Sequence, residues 1–125
     1  MAGIVGVGID LVDVERFRTS LQRTPSMRTR MFTEGERAYA ETAADPTERY
    51  AARFAAKEAA MKAMGVGLGA FGFHDVEVVR EDDGRPWLRV IGAAELLALE
   101  RGVVGWQLSL THTATSAGAV VVALA

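Results

Sequence analysis

The chain has no cysteine. That excludes disulfides, zinc sites built on thiolates and a cysteine nucleophile. Histidine is scarce, with only His74 and His112, so a histidine-rich metal site is excluded too. No apolar run approaches the ~20 residues that a membrane-spanning helix needs. Met1, Ala2, Gly3, Ile4 and Val5 carry no basic segment ahead of a long apolar one, so no signal peptide is visible and a cytoplasmic location is expected. Excess positive charge is lacking as well. Against 16 Asp and Glu stand 14 Lys and Arg, a net charge of −2, whereas general nucleic-acid binding favours a basic chain. The 13 glycines show no three-residue period, which rules out a collagen. What is present suits a folded protein: 125 residues, 50% hydrophobic and 24% charged, expected to form one domain, 1–125, around one core.

Residues 3–12 alternate, with Val5, Val7, Ile9 and Leu11 on one face and Ile4, Gly6, Gly8 and Asp10 on the other, the period of a strand. The two glycines either relieve crowding or clear space for a ligand beside Asp10. They do not begin a dinucleotide-binding turn, because the position of its third glycine is Leu11. A helix is predicted over 13–24, ending before Pro25, and a second over 34–42, where Thr33 and Glu36 form a capping box. Asp45-Pro46 marks a turn into a third helix, strongest over 48–64, with seven alanines from Ala51 to Ala63 and no Gly or Pro. Glycines 65, 67 and 69 end it in a loop. Residues 75–80 and 86–91 flank Glu81-Asp82-Asp83-Gly84 as a hairpin. A short helix over 93–101 stops at Gly102, and strands follow over 106–111 and 117–124. The predicted order β-α-α-α-β-β-α-β-β gives an α+β fold, a mainly antiparallel sheet packed with helices.

At ~100° per residue the third helix places Ala52, Ala55, Ala56, Ala59 and Ala63 on one side. Arg53 and Lys57 form one charged stripe and Glu58 and Lys62 a second, with Phe54 and Met61 between them. Glu58 and Lys62 are either a surface pair worth ~0.3–0.5 kcal/mol or a chemical pair. In the second case the carboxylate holds a divalent cation and the ammonium neutralises phosphate oxygens bound to it. Asp10 is then the second carboxylate, and Arg53 offers a fork of donors to a phosphate.

Three runs carry a resemblance: Gly8-Ile9-Asp10-Leu11-Val12 with Arg16 after it, Arg53-Phe54-Ala55-Ala56-Lys57-Glu58-Ala59-Ala60-Met61-Lys62-Ala63, and Leu108-Ser109-Leu110-Thr111-His112-Thr113. Together they resemble the signature blocks of the holo-acyl-carrier-protein synthases, the small 4′-phosphopantetheinyl transferases, in the right order and over nearly the whole chain. The resemblance implies transfer of the 4′-phosphopantetheine arm of coenzyme A to a serine of apo acyl carrier protein, with adenosine 3′,5′-bisphosphate released. It implies magnesium as cofactor and a homotrimer with sites between subunits. Residue by residue, Asp10 and Glu58 match the metal ligands, and Lys62 and Arg53 match groups near the coenzyme phosphates. His112, with Ser109 in the same run, matches the coenzyme pocket, the histidine coming from the neighbouring subunit. Gly84-Arg85-Pro86 falls where the family's hairpin meets the adenosine. Asp10, Glu58 and Lys62 are thus the expected catalytic set. From the residues alone, the favoured reading of His112 is a capping or packing group at a strand end.

From Arg16 to Thr33 there are five arginines (Arg16, Arg18, Arg23, Arg28 and Arg30) and no acidic residue. Such a segment is either a solvated face or a dock for an acidic partner. The resemblance favours docking, since acyl carrier proteins are acidic. Arg16, Arg23 and Arg30 recur every seventh residue, with Met27 as an apolar contact among them. Two alternatives stand beside the transferase. A binding module for an acidic protein has no need of two carboxylates converging on one cation. An acyl-thioester enzyme wants one central helix wrapped by a long sheet, and three helices before residue 65 count against it.

Overall fold

Asp13 closes one element and opens the next. In the computed structural model, which describes residues 3–125, it is the last residue of strand β1 (Ile4–Asp13), and its carboxylate accepts the Arg16 amide to cap helix α1 (Val14–Arg23). Met1 and Ala2, the start of the N-terminal segment read above, lie outside the described residues. Val14, Phe17 and Leu21, at helical spacing, give α1 its buried face. Helix α2 (Met27–Met31) follows. It was not expected, since it has only five residues, none of them buried, and Ser26 caps it with no side-chain bond. Helix α3 (Glu34–Ala40) has the predicted capping box. The long helix α4 (Thr47–Met64) starts where the Asp45 carboxylate accepts the Thr47 amide, and it ends at Gly65, whose φ of 73° is left-handed.

After the 3₁₀ turn Phe73–Asp75 come strands β2 (Val76–Arg80) and β3 (Pro86–Val90), joined through Gly84, whose φ is 90°. Helix α5 (Gly92–Glu100) and strands β4 (Gly105–His112) and β5 (Ser116–Leu124) complete the chain. The strands form an antiparallel sheet in the order β1-β5-β4 and a separate β2–β3 hairpin, so the expected α+β architecture is what folds. No helix among the described residues is long and apolar enough to cross a membrane.

Helix α4 lies on β1, and the two glycines decide how closely. A Cβ at Gly6 would stand 1.9 Å from the Ala63 carbonyl oxygen, and one at Gly8 1.8 Å from that of Ala59. The glycine-cleared face is therefore filled by helix backbone and offers no room to a ligand, which corrects the reading that placed cleared space beside Asp10. The apolar face of β1 points outward instead: Val7, Ile9 and Leu11 are 57%, 66% and 71% exposed.

The surroundings of α4 also differ from a one-sided helix. All seven alanines from Ala51 to Ala63 are buried, and so are Arg53 and Lys57, the first charged stripe. Lys57 is buried because every proton of its ammonium has a partner. It donates to the Phe73 and Val76 carbonyls at 2.8 and 2.5 Å and pairs with the Glu36 carboxylate at 2.8 Å. Glu36 in turn accepts the amides of Thr33 and Val78, both at 2.9 Å. This knot ties α3 and α4 to the first strand of the hairpin.

Candidate active site

The N-terminal half of α4 faces a groove of about 690 Å³. Arg49 and Arg53 enter it from the helix, Tyr39 from α3, and Arg80 with Gly84-Arg85-Pro86 from the hairpin. Strand β4 closes it with Ser109 and His112. The residues expected near coenzyme A thus come together, with Lys62 the exception. The His112 Nδ1 stands 3.5 Å from the Glu48 carboxylate, an ion pair when the ring is protonated. Arg53 is almost fully buried, and burial pushes its guanidinium below the ordinary range. It nonetheless remains charged.

A smaller pocket, about 330 Å³, opens beside the end of β1 and holds Asp10, Glu58 and Arg16. Burial, and after it the Asp10 charge, pushes the Glu58 carboxyl above the ordinary range, while Lys62 opposes the shift. The Lys62 ammonium donates to the Ile9 carbonyl at 2.9 Å and to the Asp10 carboxylate at 3.1 Å. The surface pair that the Glu58–Lys62 spacing allows is not formed, because Lys62 turns to the strand end.

Arg53 and Lys62 were expected together at the phosphates, and one chain does not bring them there. Nine residues at ~100° each put them on opposite sides of α4. Arg16, read only as a docking residue, also borders the carboxylate pocket. Tyr39, Arg49 and Arg80 were missed. Arg49 precedes Arg53 by one turn, a spacing that the sequence shows; Tyr39 and Arg80 carry no local signal, since only tertiary packing brings them to the helix.

The arginine segment divides. Arg18 is taken by Glu15 and by Asp45, the latter at 2.7 Å. The Asp45 carboxyl is lowered to about 2, chiefly by its hydrogen bonds to Thr47 and then by Arg18. Arg28 faces Glu41 at 3.5 Å and the Tyr50 ring. Arg16, Arg23 and Arg30, the heptad-spaced set, are exposed and form no ion pair among the described residues. Met27 is half-buried against the core, so part of its apolar surface is used by the fold.

The model of the 4′-phosphopantetheinyl transferase superfamily matches residues 6–124. The holo-acyl-carrier-protein synthase of Salinispora arenicola is 51% identical over 120 residues, 96% of this chain and 98% of that protein. Among solved structures, the holo-acyl-carrier-protein synthase from Neisseria meningitidis has a TM-score of 0.88 at 30% identity, covering 97% of this chain and 98% of that one. The Bacillus anthracis enzyme, solved in complex with coenzyme A (3′,5′-ADP), has a TM-score of 0.80 at 36% identity, over 98% of this chain and 97% of that one. On sequence, fold and the grouping of the signature residues, the chain belongs to the 4′-phosphopantetheinyl transferase superfamily, among the holo-acyl-carrier-protein synthases, and is a transferase.

Proposed function

We propose that the chain transfers the 4′-phosphopantetheine arm of coenzyme A to a serine of apo acyl carrier protein, releasing adenosine 3′,5′-bisphosphate, and that it works as a homotrimer with sites between subunits. The observation that carries this reading is the split site. The groove with Arg53 and His112 lies on one side of α4, and Asp10, Glu58 and Lys62 lie on the other. One coenzyme molecule reaches both sets where the groove of one subunit meets the carboxylate pocket of another.

The outward face of β1 supports such an assembly. Ile9 and its cross-strand neighbour Val120 on β5 are 66% and 37% exposed, beside Val7 and Leu11. A continuous apolar face of this kind marks an interface. Ile9→Lys is expected to give a folded monomer by light scattering, with transfer activity lost; a wild type of monomer mass under active conditions would refute the assembly.

Asp10 and Glu58 fit magnesium. Both are hard oxygen donors, and they lie near enough for the Asp10 charge to raise the Glu58 carboxyl. Magnesium takes one or two carboxylates and fills its shell with water and phosphate oxygens, so two such donors suffice. When bound, magnesium supplies positive charge against the diphosphate. The chain's own groups position the reactants. Arg53, Ser109 and His112 hold the coenzyme in the groove, Gly84-Arg85-Pro86 borders its adenosine, and Lys62 faces the charge that develops as the adenosine-side phosphate leaves. The serine oxygen forms the new bond to the phosphorus nearest the pantetheine, the bond from that phosphorus to the leaving phosphate breaks, and the hydroxyl proton passes to water, for which the Glu58 carboxylate is a hydrogen-bond acceptor. Incubating apo carrier protein with the chain, coenzyme A and magnesium tests the reading. Mass spectrometry should show one added phosphopantetheine, and an unchanged carrier mass would reject it.

Arg16, Arg23 and Arg30 dock the acidic carrier in this reading. Rim charges act mainly on association, and salt screens them over ~8 Å at physiological ionic strength. Arg23→Glu should therefore raise KM for the carrier protein at low salt and flatten its salt dependence, with coenzyme A affinity unchanged. An unchanged carrier KM removes Arg23 from the dock.

A further inference from the structure

Three arginines crowd one tyrosine ring. The guanidinium carbons of Arg49, Arg53 and Arg80 lie 4.2, 4.5 and 4.4 Å from the centre of the Tyr39 ring. Two come from adjacent turns of α4 and the third from the end of β2, so the cluster exists only in the folded chain. Among the described residues none of the three makes an ion pair. Their hydrogen bonds go to neutral groups: Arg49 donates to the Tyr39 carbonyl and the Thr42 hydroxyl, Arg53 to the Arg49 carbonyl, and Arg80 to the Gly84 carbonyl. Of the acidic side chains that share the groove, Asp45 is paired with Arg18, and Glu48 stands 3.5 Å from His112, an ion pair when that ring is protonated; neither forms an ion pair with the three arginines. Arg53 is only 4% exposed, and its Nε is a buried donor with no partner among the described residues.

Three unneutralised guanidinium groups around one ring repel one another, and the negative face of the ring offsets part of that repulsion. An anion in the groove offsets the rest. Arginine forks match phosphate oxygens two at a time, so a phosphate group uses such a cluster more fully than a single carboxylate does. We infer that Tyr39 is a positioning residue, whose ring gathers Arg49, Arg53 and Arg80 into one anion-binding cluster, and that the anion is a phosphate group of coenzyme A. This rests on the reading of the groove as the coenzyme site. Tyr39 acts through the arginines, so its ring is required and its hydroxyl is not.

The test is calorimetric binding of coenzyme A and of 3′-dephospho-coenzyme A to the wild type, Tyr39→Phe, Tyr39→Leu and Arg80→Gln. Loss of cation–ring contacts in Tyr39→Leu should weaken coenzyme A binding about tenfold, with Tyr39→Phe within about twofold of wild type. In turnover, Tyr39→Leu should raise KM for coenzyme A more than it lowers kcat, and coenzyme binding should lose part of its salt dependence. If the loss disappears with the dephospho compound, the cluster holds the 3′-phosphate; if it persists, the cluster holds the diphosphate. Either result supports the inference. Arg80 is exposed, so Arg80→Gln keeps the fold and should weaken binding in the same direction even where a melting curve shows Tyr39→Leu unfolded. Wild-type affinity in both Tyr39→Leu and Arg80→Gln overturns the inference and leaves the proposed activity standing, and so does a Tyr39→Phe variant as weak as Tyr39→Leu. A wild type that does not bind coenzyme A overturns the proposed activity, and this inference falls with it.

Discussion

Replacing Glu58 by glutamine is expected to cost roughly a hundredfold or more in transfer rate, the scale on which removal of one electrostatic partner acts on kcat. The protein should remain folded. Glu58 is half-buried, its carboxyl is raised first by burial and then by Asp10, and it forms no ion pair among the described residues. The sign of the stability effect follows. A carboxyl whose folded pKa is raised binds more protons folded than unfolded, so its contribution is most favourable below the ordinary glutamate value of 4.5 and is lost as pH rises through the folded value. At neutral pH the ionised group therefore opposes folding, and Glu58→Gln should melt at or above the wild-type temperature. Magnesium should raise the melting temperature of the wild type and not of the variant, because a ligand stabilises only the form that binds it. A variant with full magnesium-dependent turnover would reject Glu58 as a ligand.

The second large effect lies in the core. Lys57→Met removes the ammonium and strands the Glu36 carboxylate in a site where both side chains are fully buried. Breaking a buried pair in this way costs about 3–5 kcal/mol. The Phe73 and Val76 carbonyls lose their donor as well. Burial pushes the Lys57 ammonium down from the ordinary lysine range, and the Glu36 charge is the main group holding it up, so neither partner is suited to the interior alone. The melting temperature should fall by roughly 10–20 °C. Adding Glu36→Gln should recover part of the loss, since the stranded charge is then gone and the amide oxygen can still accept one of the two backbone amides, Thr33 or Val78, that the carboxylate accepted on separate oxygens. A Lys57→Met protein as stable as the wild type would show that the pair contributes nothing.

Most of the elements were legible because their signals are local. The Thr33–Glu36 capping box, the alanine-rich α4 and the hairpin through Gly84 each depend on residues three or four apart or on one backbone angle. Helix α2 escaped because its five residues have neither a buried stripe nor a side-chain cap. The resemblance assigned Arg53, Ser109, His112 and the Gly84-Arg85-Pro86 turn to the coenzyme and Asp10 with Glu58 to the metal; in the structure the first set lines one groove and the two carboxylates line one pocket.

Other features had no local signal. Alternation gave β1 two faces, but which one is buried depends on what packs there; the glycine face wins because only it admits the backbone of α4. Lys57 reads as a surface cation, and only its three distant partners make its burial affordable. Tyr39 stands among arginines from two other elements, a meeting that no spacing in the chain encodes. The sequence by itself determined the local elements and the charged groups. Tertiary structure decided which faces and charges are covered, because burial is a property of the partner surface as much as of the residue that it covers.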